Sequence, residues 1–422
     1  MSESLTITIF DRHAPEVIDA TIEHILSHKK HGVPEPKIMQ EVFTDWSDVD
    51  ADTVWDMMLA RLQDKKDPRV DLPLFMTKED LRFATHRFIA KHRAKRLACD
   101  TLVEVGCGIG SQTIEFARTC KKVIAVEIDP RKVAFAKANC DKLKIKNVEF
   151  ICADGVEAID HVEHADVVFC DPERAPQARE RTIDAFSPSL MGLLDACAHK
   201  TSDVAIELPP QMKDIPINGE LEYASIEGKV ARLTIYRGGL ARCKRSAVTL
   251  PSGQSIQDTA PSSPVPLSES PLDFIFEVDE AVIKSELVDR LGINGLNSIK
   301  DSKPPLLTSS TQESSPFFRS TFNLIANINQ KTEIRPALEK NGAGKAIIRY
   351  AIDPKDYWKE RQYLEKGLEG DKHFHVFQNG QRFFLAEKIG LPMAFFGTIN
   401  DGDWGPREGR MRGLRQDFEK RL

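Results

Sequence analysis

The sequence predicts an α/β fold: a parallel sheet covered by helices on both faces, with an antiparallel hairpin at the sheet edge. A helical domain precedes it and a small α+β domain follows. Three observations carry this reading. From Thr101 to about Pro251, short β-rich apolar runs alternate with helical stretches, the pattern of strands buried on both faces. The first run ends in the glycine-rich turn Gly106-Cys107-Gly108-Ile109-Gly110. Before Cys99, apolar residues recur at helical spacing with no convincing strand.

Along the chain, Val54, Met57, Met58 and Leu62, then Leu81, Phe88 and Ile89, mark an N-terminal helical domain over 1–98. Its last part opens on the helix start Thr77-x-x-Asp80 and carries Arg82, Arg87, Lys91, His92, Arg93, Lys95 and Arg96. That charge run reads equally as a solvated helix face or as a patch facing a substrate. The α/β domain over 99–250 has strands at Leu102–Val105, Val123–Val126, Val148–Ile151, Val167–Phe169 and Val204–Leu208. Glu222–Ile226 and Val230–Tyr236, joined through Glu227-Gly228-Lys229, leave no room for a helix and predict the edge hairpin. A Ser/Pro-rich linker is expected over 251–271, and a loop or disordered insertion over 301–316. The α+β domain over 272–395 should hold helix-like Ala281–Leu291 and Pro354–Gly367, strand-like Lys345–Tyr350, and a hairpin turning at Asn379-Gly380. A flexible basic tail over 396–422 carries Arg407, Arg410, Arg412, Arg415, Lys420 and Arg421.

With 422 residues, two or three domains are expected, and 41% hydrophobic against 29% charged residues suits globular cores. A formal charge of -6 argues against binding nucleic acid by bulk electrostatics, so any such site must be a local basic patch. No apolar run approaches a membrane span and the first ten residues lack a leader pattern, so a cytoplasmic protein without a membrane partner is expected. The 8 Cys, all between Cys99 and Cys243 and without a Cys-x-x-Cys pair, suit reduced buried thiols better than disulfides or a metal. No metal is expected, and the oligomeric state stays open.

The glycine turn sits where a strand ends and a helix begins, so its backbone can bend sharply and approach a ligand closely. Its G-x-G-x-G spacing is not the dinucleotide fingerprint, and it has no Lys for phosphate. Glu104 places a carboxylate beside it, which suits the sulfonium and amino group of S-adenosylmethionine. Glu127 closes the second strand where ribose hydroxyls would be held, and Asp129 with Pro130 reads as a helix cap. Asp154, before Gly155, follows the third strand and could accept the adenine amino group, with Ile128 and Val156 over the ring. The expected cofactor set is Glu104, Gly106, Cys107, Gly108, Gly110, Glu127, Ile128, Asp154, Gly155 and Asp171.

The loop Val103–Gly110, Val126-Glu127-Ile128-Asp129-Pro130 and Cys152-Ala153-Asp154 resemble the class I S-adenosylmethionine-dependent methyltransferases. Met76 to about Pro210 is also similar to the trimethylguanosine synthases. Most of the chain resembles prokaryotic methyltransferases with a C-terminal THUMP-like domain, through Asp171-Pro172-Glu173-Arg174, Glu227–Val230, Arg245–Gly253, Ser315–Phe317, Arg335–Leu338 and Lys345–Tyr350. The resemblance implies a Rossmann-like sheet, S-adenosylmethionine as cofactor, and a last domain that helps bind RNA. In amine-methylating relatives the fourth strand ends in Asn/Asp/Ser-Pro-Pro and an aromatic ring. Here Asp171 and Pro172 match, whereas Glu173 and Arg174 replace the second proline and the ring.

The expected catalytic set is therefore Asp171, Pro172, Glu173 and Arg174. Asp171 and the Pro172 carbonyl would hold the nucleophile, with Glu173 as proton acceptor and Arg174 on a phosphate or base. A local Glu173–Arg174 ion pair is the bland alternative. The expected acceptor is a base in RNA, single-stranded or flipped out; a protein or small-molecule acceptor, or a non-catalytic binder, are the competing classes. Phe374, Phe377, Phe383 and Phe384, at strand spacing, read as core rather than as stacking platforms.

Overall fold

The computed structural model describes residues 8–66, 68–70, 72–174, 186–212 and 215–390. The basic tail expected over 396–422 lies outside them. The chain forms two compact units, one reaching Thr259 and the other starting at Ala260.

The first unit opens with six helices: α1 (Ile9–Arg12), α2 (Pro15–Lys30), α3 (Glu35–Val42), α4 (Asp48–Lys66), α5 (Lys78–Phe83) and α6 (Arg87–Arg96). Ile18, Ile22 and Ile25 recur along one stripe of α2 and are fully buried, as are Val54 and Met58 of α4. Thr77 caps α5: its hydroxyl accepts from the Asp80 amide, and the Asp80 carboxylate accepts from the Thr77 amide in return.

The α/β part follows as β1 (Thr101–Val105), α7 (Ser111–Ala117), β2 (Lys122–Glu127), α8 (Pro130–Lys142), β3 (Val148–Cys152), α9 (Gly155–His161) and β4 (Val167–Cys170). A two-residue ladder, β5 (Glu173–Arg174) with β6 (Phe186–Ser187), leads to α10 (Leu190–Cys197) and β7 (Val204–Leu208). Then come β8 (Glu220–Ile226), β9 (Lys229–Tyr236), β10 (Arg245–Leu250) and β11 (Gln254–Gln257). The nine-stranded sheet runs β11-β10-β8-β9-β7-β4-β1-β2-β3, parallel from β7 through β3. The chain order reverses at β1, between β4 and β2, so the crevice expected of such a sheet opens there.

Two expectations need correction here. The hairpin β8–β9 forms, but β10 pairs parallel to β8 and β11 antiparallel to β10, so the sheet continues two strands past it. The expected linker over 251–271 therefore begins inside the sheet. Pro251-Ser252-Gly253 is the β10–β11 turn, in which Gly253 takes a φ of 72° and donates to the Thr249 carbonyl. Pro, Ser and Gly are the residues of tight turns as much as of linkers.

The helical segment is not a separate body within this unit. One core joins Ile18, Ile22, Val54, Met58 and Phe75 to Ile109, Ile114 and Phe135 of the α/β part. Asn139 of α8 fastens them: its side chain accepts from the Phe75 amide (2.7 Å) and donates to the Phe75 and Ile109 carbonyls (3.0 Å each).

The second unit contains β12 (Leu267–Ser268), β13 (Phe274–Val278), α11 (Glu280–Lys284), β14 (Asn297–Ile299), β15 (Leu306–Ser309), β16 (Phe318–Ile328), α12 (Ile334–Lys340), β17 (Ala343–Ile348), α13 (Tyr357–Glu365), β18 (Lys372–Asn379) and β19 (Arg382–Ile389). Its sheet runs β12-β14-β15-β13-β16-β19-β18-β17. The expected insertion over 301–316 is corrected by β15, whose four residues are all buried between β14 and β13. Ser-rich flanks hid its Leu306-Leu307 centre. The hairpin β18–β19 turns through Gly380 (φ 57°), and Phe374, Phe377, Phe383 and Phe384 are all buried.

Candidate methyl-transfer site

Acidic residues stand at the carboxyl ends of adjacent parallel strands: Glu104 in β1, Glu127 closing β2, Asp154 after β3, Asp171 after β4 and Glu207 in β7. The glycine loop lies among them because its backbone folds where a side chain could not. Gly106 has a φ of 81°, and a Cβ on it would sit 2.8 Å from the Asp171 carbonyl oxygen. Gly108 has a φ of 56° and open space at its Cβ position, so a ligand can approach the backbone there. Gly110 and Gly155 serve packing instead: a Cβ would come within 3.2 Å of Ala136 and 2.3 Å of Val105, respectively.

Each carboxylate has a distinct environment. Glu127 is fixed by the Gly108 amide (2.9 Å) and the Asp129 amide (3.0 Å). Asp154 caps α9, accepting from the Val156 and Glu157 amides through one oxygen. Ile128 is 67% exposed at the rim, an apolar side chain available to cover a flat ligand. Glu104 is buried, and its Oε2 has no hydrogen-bond partner among the described residues. Burial pushes its carboxyl up to about 8, and the neighbouring Asp171 charge adds to the shift. A buried carboxylate oxygen without a partner costs stability unless a ligand supplies one, and a cationic ligand fits.

The Cys107 side chain turns away, packing with Ala125 and Ala136. Its amide donates to the Val126 carbonyl and its own carbonyl accepts from Gly110, while burial pushes its thiol up. Asp171 donates its amide to the Val105 carbonyl (3.1 Å), which sets it beside the glycine loop. Burial, then the Glu207 charge, raise its carboxyl above the ordinary range. Pro172 is buried beside it. Glu173 is exposed and pairs with Lys132 of α8 (2.7 Å). The Arg174 side chain lies outside the described residues.

Sequence reasoning missed Glu207 and Arg232, and misplaced Arg93. Arg93 of α6 is 1% exposed, lies over the Phe169 ring at 4.5 Å, and donates to Gln112 (2.8 Å) and to Glu207. Arg232 of β9 holds the other Glu207 oxygen. Two more of the run are spent similarly: Arg96 pairs with Glu220 and Glu222 while stacking on Tyr236, and His92 meets Glu222 at 2.9 Å. Three of the seven basic residues thus face inward, which corrects the view of the run as one face, solvated or substrate-facing. Glu207, Glu220 and Glu222 in apolar strands were the available signal, since buried acids need partners. Among the described residues no group of three or more metal-ligating side chains occurs, and no helix is long and apolar enough to cross a membrane.

The fold and this acidic strand-end crevice resemble those of class I methyltransferases, and residues 102–188 match the family described as a methyltransferase domain. S-adenosylmethionine is the cofactor of that class, and the unpartnered Glu104 oxygen and open Gly108 face fit it. The chain is 29% identical over 225 residues to an uncharacterised S-adenosylmethionine-dependent methyltransferase of Mycobacterium tuberculosis, covering 51% of this chain and 60% of that one. It thus spans less than two thirds of that relative. Two shorter matches carry unlike names. One, 36% identical over 69 residues (16% of this chain, 37% of the relative), is to a cobalt-precorrin-6B C(15)-methyltransferase assignment in Methanobrevibacter smithii. The other, 44% identical over 69 residues (16% and 24%), is to a ribosomal RNA small subunit methyltransferase A assignment in Methanosarcina acetivorans. The crystal structure of a candidate methyltransferase from Porphyromonas gingivalis W83 shares the fold, with a TM-score of 0.69 over 88% of this chain and 98% of that one at 17% identity.

Proposed function

We propose that the chain transfers the methyl group of S-adenosylmethionine to a base in RNA. The observation that carries methyl transfer is the meeting of Asp171 with the glycine loop, where a Cβ on Gly106 would strike the Asp171 carbonyl. The cofactor supplies an electrophilic methyl group. Glu104 would receive its ammonium, Glu127 its ribose, Asp154 its adenine amino group, and Ile128 would cover the ring. Gly106, Gly108 and Gly110 shape the loop, while Cys107 and Gly155 support it from behind. Asp171 and the Pro172 carbonyl would hold the nucleophile in line, so positioning supplies most of the rate. Glu173, paired with Lys132, would accept the proton, and Arg174 would meet a phosphate or base.

The RNA acceptor is supported by the name of the Methanosarcina relative and by the THUMP-like resemblance of the second unit. A small-molecule acceptor is the competing reading, favoured by the inward-facing cations of α6 and by the precorrin relative's name. The test is transfer of radiolabelled methyl to total RNA lacking this activity, with wild type and Asp171→Ala side by side. Label that disappears in the variant is expected. No label, with S-adenosylhomocysteine still bound, would overturn the RNA reading.

A further inference from the structure

Arg232 belongs to neither the expected catalytic set nor the expected cofactor set, yet it stands at the reacting end of the sheet. β7 pairs with β9 up to Leu208 opposite Leu233, so Arg232 is the next residue of β9 past the end of that ladder. β4 lies on the other side of β7, with Cys170 opposite Ile206, so Asp171 continues alongside Glu207. Glu207 therefore sits between the two, and the Arg232 charge counters the burial that raises the Asp171 carboxyl. Glu207 grips Arg232 through Nε while Nη1 donates to the Ala231 carbonyl (3.0 Å). The Nε contact is an ion pair without hydrogen-bond geometry, and Nη2 has no hydrogen-bond partner among the described residues. The side chain is held by Glu207 and is 26% exposed, so part of it reaches the surface.

We propose, resting on the RNA reading above, that Asp171 and Arg232 form a two-point reader of the acceptor base: Asp171 accepts from the nucleophilic N–H, and Arg232 donates to the ring nitrogen or carbonyl beside it. A nucleobase edge presents such a donor next to an acceptor, whereas an isolated amine or hydroxyl does not. Holding both atoms fixes the nucleophile's lone pair toward the methyl group. As the N–C bond forms, the C–S bond breaks and its electron pair returns to sulfur, leaving S-adenosylhomocysteine. The N–H proton passes to Asp171 and then, through Glu173, to water. Arg93 lets this happen because it holds Glu207 from the other side, so Glu207 stays ionised and Arg232 stays in place.

The test compares wild type, Arg232→Ala and Arg232→Lys for methyl transfer to RNA and for S-adenosylhomocysteine affinity, at low and moderate salt. Arg232→Ala is expected to lower kcat/KM about tenfold or more, the worth of a base-edge contact, with cofactor affinity within about twofold of wild type. Arg232→Lys keeps the charge beside Glu207 but loses the guanidinium geometry, and a loss at both salt concentrations is expected. It carries the test if Arg232→Ala melts early. Full activity of Arg232→Lys with a salt-dependent loss in Arg232→Ala would mean a phosphate contact and would overturn the proposal. Labelling equal to wild type in both variants would overturn it alone. No labelling by wild type would overturn the RNA reading and the proposal together.

Discussion

Glu104 joins burial to ligand chemistry in one side chain. Its carboxyl is pushed up to about 8 by burial, so the native chain holds that proton more tightly than the unfolded chain does. Its contribution to stability is therefore complete below its ordinary value and declines as pH rises toward about 8. A cation against Glu104 favours the ionised form and opposes that trend. We expect affinity for S-adenosylmethionine to fall as pH drops below about 8, by up to roughly tenfold per unit. Glu104→Gln should flatten both dependences; titration calorimetry and melting from pH 6 to 8.5 would show it. A pH-dependent affinity surviving in the variant would assign the effect elsewhere.

Among the elements, α8 does more than cover the sheet. Asn139 satisfies the backbone of Phe75 twice and that of Ile109 once, tying the helical segment to the cofactor loop. Asn139→Ala leaves one buried amide and two carbonyls without these partners, and we expect a loss of about 3 kcal/mol. Melting should fall by roughly 6–12 °C, and S-adenosylhomocysteine binding should weaken because the Ile109 turn is freed. An unchanged melting temperature would mean that water replaces the amide. Nothing in the sequence marked Asn139, since a lone Asn in a helix reads as an ordinary surface residue. The strands, the loop and the Asp129 cap of α8 were legible because period, glycine spacing and Pro130 are local signals. β11 and β15 were not, because Ser, Pro and Gly beside a four-residue strand resemble a linker unless the partner strands are known. Arg93 and Glu207 were hidden for the same reason, as their pairing depends on contacts 114 residues apart.

For the whole molecule, the units divide at 259/260, and every expected site residue lies in the first. A chain ending at Thr259 should fold and bind S-adenosylhomocysteine within about twofold of the full protein. A chain starting at Cys99 should not, because Phe75, Met58 and Ile22 share a core with Phe135 and Ile114, and exposing such side chains costs about 1.5–3 kcal/mol each. Circular dichroism and binding on both fragments check this. A folded, cofactor-binding fragment from Cys99 would restore a separate helical domain. If RNA labelling is lost in the shorter chain while cofactor binding persists, the second unit acts on the acceptor.

The inward Arg93 of α6 also bears on the order of synthesis. Its acid partner Glu207 leaves the ribosome 114 residues later, which at ordinary translation speeds is roughly 6–23 seconds. During that interval α6 carries a guanidinium destined for the interior with no acid to meet it. The nascent α6 should stay wet, and the crevice cannot close until β7 arrives.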